Sequence, residues 1–291
     1  MWLDGKTVEK VAVSPLSHSL HYGGAVYEGI RFYQTQDGRR AIFRLNDHLK
    51  RLLVSAVVMR MKIPYSLDQL MQATIAEVRQ SGLEEGYIRP IVFRGEGLGL
   101  MSRGNVAHTL IAVVPWVDGP ESTTLAFSHM IRMHPVSTVI TAKVAGHYVN
   151  SYLAAAEAQD RGADDALLLD YQGNVAEASV ANVFIVKGDS VITPPSGNIF
   201  CGITRDTVIR LLDVIRGQKV EERTVSPIDA LFRADAMFVA GTAAEVLPVA
   251  KLDDRDFDVG NKTVVLCRDL YRQAITGALS GAPDCWLAYV D

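Results

Sequence analysis

Ala142-Lys143-Val144-Ala145-Gly146-His147-Tyr148-Val149-Asn150-Ser151 is the stretch whose reading decides the fold. The β-branched run before it, Ser137 to Thr141, predicts a strand pointed at the middle of the protein. A lysine delivered there is partly desolvated, which disfavours the ammonium form and leaves an amine able to attack a carbonyl, the requirement of a Schiff-base lysine. Gly146 lets the backbone pass close to a bound group, and the Tyr148 phenol can hydrogen-bond a cofactor oxygen. Taken alone, a lysine at a strand end is ordinarily a solvated surface residue, because Lys is almost never fully buried unless paired. Its neighbours along the chain decide between the two.

Three later stretches follow Lys143 in order. They are Val175-Ala176-Glu177-Ala178-Ser179-Val180-Ala181-Asn182-Val183-Phe184, then Gly202-Ile203-Thr204-Arg205-Asp206, then Gly241-Thr242-Ala243-Ala244-Glu245. Near the start stand His21-Tyr22-Gly23 and Tyr27-Glu28-Gly29-Ile30-Arg31, with Tyr87-Ile88-Arg89-Pro90 further on. In this order and spacing the motifs resemble the class IV (fold type IV) pyridoxal-phosphate aminotransferases, and most of all their branched-chain amino acid branch. The resemblance runs from about Met1 to Leu252. It implies an α+β, two-domain fold type IV enzyme: a small N-terminal α/β sandwich-like domain and a larger C-terminal β-rich domain with helices.

The composition agrees with a globular enzyme. A chain of 291 residues, 48% of them apolar, can bury a sizeable core in two domains. A net charge of −4 without runs of like charge gives no footprint for nucleic acid. Cys201, Cys267 and Cys285 are odd in number and widely separated, which argues against a disulfide framework and for the reducing cytoplasm. Neither a signal peptide nor a stretch of membrane-spanning length is legible, so no membrane partner is expected. The histidines, His18, His21, His48 and His147 among them, make no ligand spacing, and no metal is expected. Gly95-Glu96-Gly97-Leu98-Gly99 lacks the full glycine spacing of a dinucleotide loop.

Taken in order, Asp4-Gly5 predicts a hairpin over Trp2 to Ala12. His18 to Arg31 reads as a loop entering a strand, Gly29 to Gln34, which Asp37-Gly38 turns back into Ala41 to Phe43. A helix follows, capped by Asn46 or Asp47, with Leu49, Leu52, Leu53, Ala56, Val57 and Met61 on its apolar face and Pro64 ending it. Ser66 and Gln69 predict a capping box for a second helix that Gly82 stops. Tyr87 to Phe93 and Thr109 to Trp116 are β-rich.

The domains expected are 1–116, a linker at 117–122 that is turn-rich and polar, and 123–291. In the second, Leu125 to His129, Ser137 to Thr141, Ala166 to Asp170, Val175 to Ala178, Asn182 to Val186, Val191 to Thr193 and Met237 to Ala240 read as strands. Helices are expected over Ser151 to Arg161, Arg205 to Ile215, after Ser226-Pro227 and over Lys262 to Ile275.

The resemblance assigns roles. Lys143 supplies the amine that binds pyridoxal 5′-phosphate and shuttles a proton during the reaction. Glu177 faces the pyridine nitrogen, where its charge keeps the ring an electron sink. Tyr148 bonds the ring oxygen. The phosphate falls to Arg51, to Ile203 and Thr204 at a helix start, and to Thr242. Read without the resemblance, a plain helix cap by Thr204 competes on equal terms with an anion site, and an ordinary ion pair with Asp47 four residues earlier would also explain Arg51.

For the substrate, Tyr87 and Arg89 alternate on one strand and share a face. The resemblance gives Tyr87 the α-carboxylate, together with the Thr242-Ala243 turn, and gives Arg89 the distal carboxylate of glutamate or 2-oxoglutarate. Tyr22, Tyr27 and Gly29 match pocket-wall positions. The family's active site lies between domains and is completed by a loop of a partner subunit, which implies at least a homodimer, with Tyr22 and the loop Leu98 to Leu100 at its interface.

The activity so implied is transfer of an amino group from branched-chain L-amino acids, the donors, to 2-oxoglutarate, the 2-oxo acid acceptor. Departures from the family pattern leave alternatives. Phenylalanine is usual where Tyr27 stands, an Asn-Pro pair is usual near Met101-Ser102-Arg103, and Gly-Ser-Gly-Glu-Asn is common after Glu177. These keep open activity on (R)-primary amines; the rival readings are a D-amino acid transaminase, an aminodeoxychorismate lyase of the same fold, and a non-catalytic cofactor-binding homologue. Tyr87-Ile88-Arg89 speaks against the D-amino acid and lyase readings.

Overall fold

The computed structural model describes residues 1–101, 104–117 and 119–290. Ser102 and Arg103 of the altered loop and Asp118 of the expected linker lie outside the described residues. The chain folds into two units, one made of Met1–Val117, Ala142–Tyr148 and Ile275–Asp291, the other of Asp118–Thr141 and Val149–Ala274. This division differs from a single cut at 117–122. The Lys143 stretch and the C-terminal tail belong with the N-terminal unit.

In the first unit the sheet runs Leu287–Tyr289, Arg40–Phe43, Ile30–Gln34, Gly86–Arg94, Ala107–Val114, Trp2–Leu3, Lys6–Thr7, and Val26–Tyr27 also pairs with Gly86–Arg94. Helices Leu45–Val58 and Leu67–Ser81 pack on it through Leu49, Leu52, Ala56, Leu70 and Val78, all fully buried beside Ile30, Phe32 and Ile88. The capping box forms as read: Ser66 Oγ accepts from Gln69 N, and the Gln69 side chain accepts from Ser66 N.

The preceding helix differs from expectation at both ends. It starts at Leu45 behind Arg44, a left-handed residue with φ 52°, so neither Asn46 nor Asp47 is the cap. Asp47 instead accepts from Arg44 Nε at 2.5 Å. The helix stops at Val58, well before Pro64, and Val57 is 74% exposed. A short helix, His18–Tyr22, and the pair Val26–Tyr27 occupy the segment read as a loop.

The second unit holds a sheet running Val175–Ala178, Asp165–Leu169, Thr123–Ile131, Glu245–Leu252, Ala236–Gly241, Asn182–Lys187, Ser190–Thr193, Glu221–Glu222. Val175–Ala178 also pairs with Asn182–Lys187, which closes the first six strands into a ring, and the register at that closure is Glu177 opposite Asn182. Helices Tyr148–Asp160, Ile203–Arg210 and Lys262–Ile275 accompany it; the first two begin earlier than read. Leu211–Ile215 and Asp229–Arg233 are wider helical turns.

Ser137 to Thr141 is not a strand. Ser137 N and Oγ both bond His134 O, at 2.9 and 2.7 Å, so a local turn closes where the run begins, with Val136 in that turn 86% exposed. A β-branched run needs a neighbouring strand to pair with, and among the described residues this one has none. Among the described residues no helix is long and apolar enough to cross a membrane.

Candidate active site

Lys143 is half-buried in the first unit, held on both sides by its backbone. Its N–H donates to Ser55 Oγ at 3.0 Å, and its C=O accepts from Tyr27 N at 3.2 Å. Val144 bridges Val26, and Gly146 N donates to Gly23 O at 2.9 Å. The side chain ends on Tyr148: Nζ donates to the Tyr148 oxygen at 2.5 Å. The lysine and tyrosine named from sequence are therefore partners, and Nζ also lies 5.2 Å from the centre of the Tyr27 ring.

Tyr27, Tyr87 and Arg89 join them. The Arg89 guanidinium lies 4.6 Å over the Tyr27 ring, and its Nη2 donates to the Tyr87 oxygen at 2.9 Å. Burial pushes the Tyr87 phenol above its ordinary range, against the opposing pull of Arg89. Gly29 makes the arrangement possible: a Cβ at that position would come within 1.9 Å of the Tyr87 hydroxyl oxygen. Tyr22 stands apart, 43% exposed, its hydroxyl accepting from Gly99 N at 3.2 Å.

Arg51 pairs with buried Glu28. Its Nε and Nη2 reach the two oxygens of Glu28 at 2.6 and 2.8 Å, and His48 Nδ1 donates to the same carboxylate at 2.8 Å. Glu28 is wholly buried. Burial alone would raise its pKa, but the Arg51 charge and the bonds from Arg51 and His48 outweigh it and hold the carboxyl at about 2. Burial pushes His48 below its ordinary range, so the ring is neutral and carries its proton on Nδ1 to donate. Glu28, His48 and Ser55 were not named as site residues from sequence. Glu28 sits inside the quoted Tyr27-Glu28-Gly29 motif, whereas its pairing with a residue 23 positions on leaves no local signal.

In the second unit Glu177 is buried and surrounded by donors. Arg132 Nε bonds it, Asn182 Nδ2 donates at 3.0 Å, and Phe200 N donates to its two oxygens at 3.0 and 3.1 Å. Arg132 and Asn182 were likewise missed. Asn182 Nδ2 also reaches Phe200 O at 2.8 Å, tying the carboxylate to the loop that leads into helix Ile203–Arg210. Gly202 is required there, since a Cβ would lie 2.2 Å from Asn182 Oδ1.

The helix begins at Ile203 behind Gly202 without a side-chain cap, so buried Thr204 is inside the first turn and not its cap. The backbone N–H groups of such a turn are the ones an intrahelical ladder leaves over. Thr242 and Ala243 lie in the tight loop between strands Ala236–Gly241 and Glu245–Leu252, Thr242 half-buried and Ala243 exposed. Each unit thus gathers its own share of the expected residues: Tyr27, Gly29, Arg51, Tyr87, Arg89, Lys143 and Tyr148 in one, Glu177, Ile203, Thr204, Thr242 and Ala243 in the other.

Comparison with known proteins agrees with this fold. The family model for amino-transferase class IV matches residues 25–252, and the chain belongs to that family. Within it, the branched-chain-amino-acid aminotransferase of Pseudomonas aeruginosa is 41% identical over 271 residues, 90% of this chain and 87% of that protein. The one of Escherichia coli K12 is 35% identical over 298 residues, covering 98% and 95%. Among solved structures, the branched-chain aminotransferase of Thermoproteus uzoniensis with norvaline matches with a TM-score of 0.94 at 35% identity, over 100% of this chain and 98% of that one. The branched-chain amino acid aminotransferase of Thermobaculum terrenum in its PLP-bound holo-form gives 0.93 at 32% identity, over 100% of this chain and 97% of that one.

Proposed function

We propose that this protein is a pyridoxal 5′-phosphate-dependent transaminase that moves the amino group of branched-chain L-amino acids to 2-oxoglutarate. The observation that carries the reading is the Lys143–Tyr148 contact at 2.5 Å beside the Tyr87–Arg89 pair. The relatives above, all branched-chain aminotransferases, support it and favour none of the alternatives.

The residues fit the cofactor. A half-buried primary amine in contact with a phenol suits its aldehyde and ring oxygen, and a buried carboxylate fixed by three donors suits its pyridine nitrogen. The uncapped first turn at Ile203 and Thr204, the Thr242 hydroxyl and the Arg51 guanidinium suit a phosphate. When bound, pyridoxal phosphate supplies the aldehyde that takes up the amino group and the ring that accepts the electron pair left on the substrate carbon.

The protein does the rest. Lys143 Nζ would hold the cofactor through its aldehyde and, when free, would move the proton at the substrate's Cα. Glu177, held by Arg132 and Asn182, keeps a proton on the ring nitrogen. Tyr87 would orient the substrate carboxylate, and Arg89 would receive the distal carboxylate of 2-oxoglutarate, a task suited to a planar fork of donors.

The reading includes a homodimer in the cytoplasm. Leu16, Leu20, Leu98, Leu100, Met101 and Val106 are exposed apolar side chains of the first unit that a second copy would cover, and among the described residues Cys201, Cys267 and Cys285 form no disulfide.

A donor panel tests it. With 2-oxoglutarate as acceptor, L-leucine is expected to turn over, D-alanine and (R)-1-phenylethylamine far less, and Lys143→Ala to lose about 10²- to 10⁴-fold or more. Undiminished turnover in Lys143→Ala, or a preference for D-alanine, contradicts the reading. Absence of turnover with every donor points to a cofactor-binding protein instead.

A further inference from the structure

Tyr27 departs from the phenylalanine usual at its position, and its ring carries the additional hydroxyl beside Tyr148. The Tyr27 and Tyr148 rings lie 5.2 Å apart, tilted by 52°, and Lys143 Nζ stands 5.2 and 5.0 Å from their centres. The Tyr148 oxygen receives Lys143 Nζ at 2.5 Å. A phenol oxygen that accepts from two donors has its own proton left to give elsewhere.

We propose that Tyr27 is a positioning residue: its hydroxyl donates to the Tyr148 oxygen, so that Tyr148 presents its own proton to the cofactor's ring oxygen. The inference rests on the function proposed above. Burial pushes the Tyr27 phenol well above its ordinary range, so it stays a donor at any working pH. The charged and titratable groups around it are Arg89 and Tyr87 on strand Gly86–Arg94, Lys143 and Tyr148, and, behind them, Glu28 with His48 and Arg51 of helix Leu45–Val58.

The role grows once the cofactor is joined to Lys143. The lysine nitrogen is then engaged, and Tyr27 remains as a donor to Tyr148. A phenol that accepts a hydrogen bond is polarised and donates more strongly. A stronger donor on the ring oxygen favours release of the proton shared between that oxygen and the lysine nitrogen. The Tyr27 hydroxyl is also committed to Tyr148 and not to the substrate, so it leaves the choice of donor side chain unchanged while the ring stays stacked under Arg89.

Tyr27→Phe tests this in the holoenzyme, since phenylalanine keeps the ring and is the residue usual for the family. The pH at which the visible band of the lysine-bound cofactor changes form is expected to rise by about half a unit to one unit. In a Tyr148→Phe background the same substitution is expected to shift nothing. kcat for L-leucine should fall a few-fold while KM and the order of preferred donors stay the same. An unmoved transition, an equal shift without the Tyr148 hydroxyl, or a change confined to KM overturns the proposal and makes Tyr27 a pocket wall only. A protein that carries no cofactor on Lys143 defeats the proposed function as well, whereas a normal band indifferent to Tyr27→Phe defeats this inference alone.

Discussion

Glu28 couples the acid stability of the first unit to its candidate phosphate arginine. Its carboxyl is held at about 2, against 4.5 ordinarily, because the Arg51 charge and the bonds from Arg51 and His48 overcome the cost of burial. The folded value lies below the unfolded one, so the carboxylate's contribution is complete above pH 4.5 and disappears as pH falls toward 2. Buried His48, held below 6.5, acts with the same sign from a higher pH. Urea titrations at a series of pH values are therefore expected to show the midpoint falling more steeply below pH 4.5 in wild type than in Glu28→Gln. Equal slopes would mean that the carboxylate is not held by Arg51 and His48. At this scale sequence gives the residue types that chemistry requires, Lys143, Tyr148, Glu177 and Arg89 among them. It does not give the partners that hold them: Arg132 reaches Glu177 across 45 positions and Arg51 reaches Glu28 across 23.

Periodicity identifies helix Leu45–Val58 but sets its face too wide. Leu49, Leu52 and Ala56 follow the three-and-four spacing into the core, whereas Val57 falls beside that stripe and points to solvent. Leu52→Ala is expected to cost about 2–5 kcal/mol, and Val57→Ser within about 0.5 kcal/mol, in chemical denaturation. A loss above about 2 kcal/mol for Val57→Ser would place it in an interface. Local signals that close on themselves read true: the Ser66–Gln69 box, Gly82 at the helix end, and helix Lys262–Ile275. Those that depend on a distant partner do not. Ser137 to Thr141 has strand composition but begins in a turn closed on His134, and Leu287–Tyr289 and Glu245–Leu252, unread in sequence, are strands because Arg40–Phe43 and Ala236–Gly241 lie ready to pair with them.

Across the whole molecule, the order of motifs was enough to identify the family over most of the chain, while the path of the chain was not legible. Ala142–Tyr148 and Ile275–Asp291 return to the N-terminal unit because Val144 bridges Val26 and Leu287–Tyr289 completes the sheet beside Arg40–Phe43. That return puts Lys143 among Tyr27, Tyr87 and Arg89, with Ser55 fixing its backbone. Position 143 as the attachment point of the cofactor is the claim on which the rest depends. Borohydride reduction of the holoprotein, digestion and mass analysis test it directly. A pyridoxyl adduct confined to the peptide bearing Lys143 is the predicted result; an adduct on Lys50, Lys187 or any other lysine, with Lys143 unmodified, would contradict it.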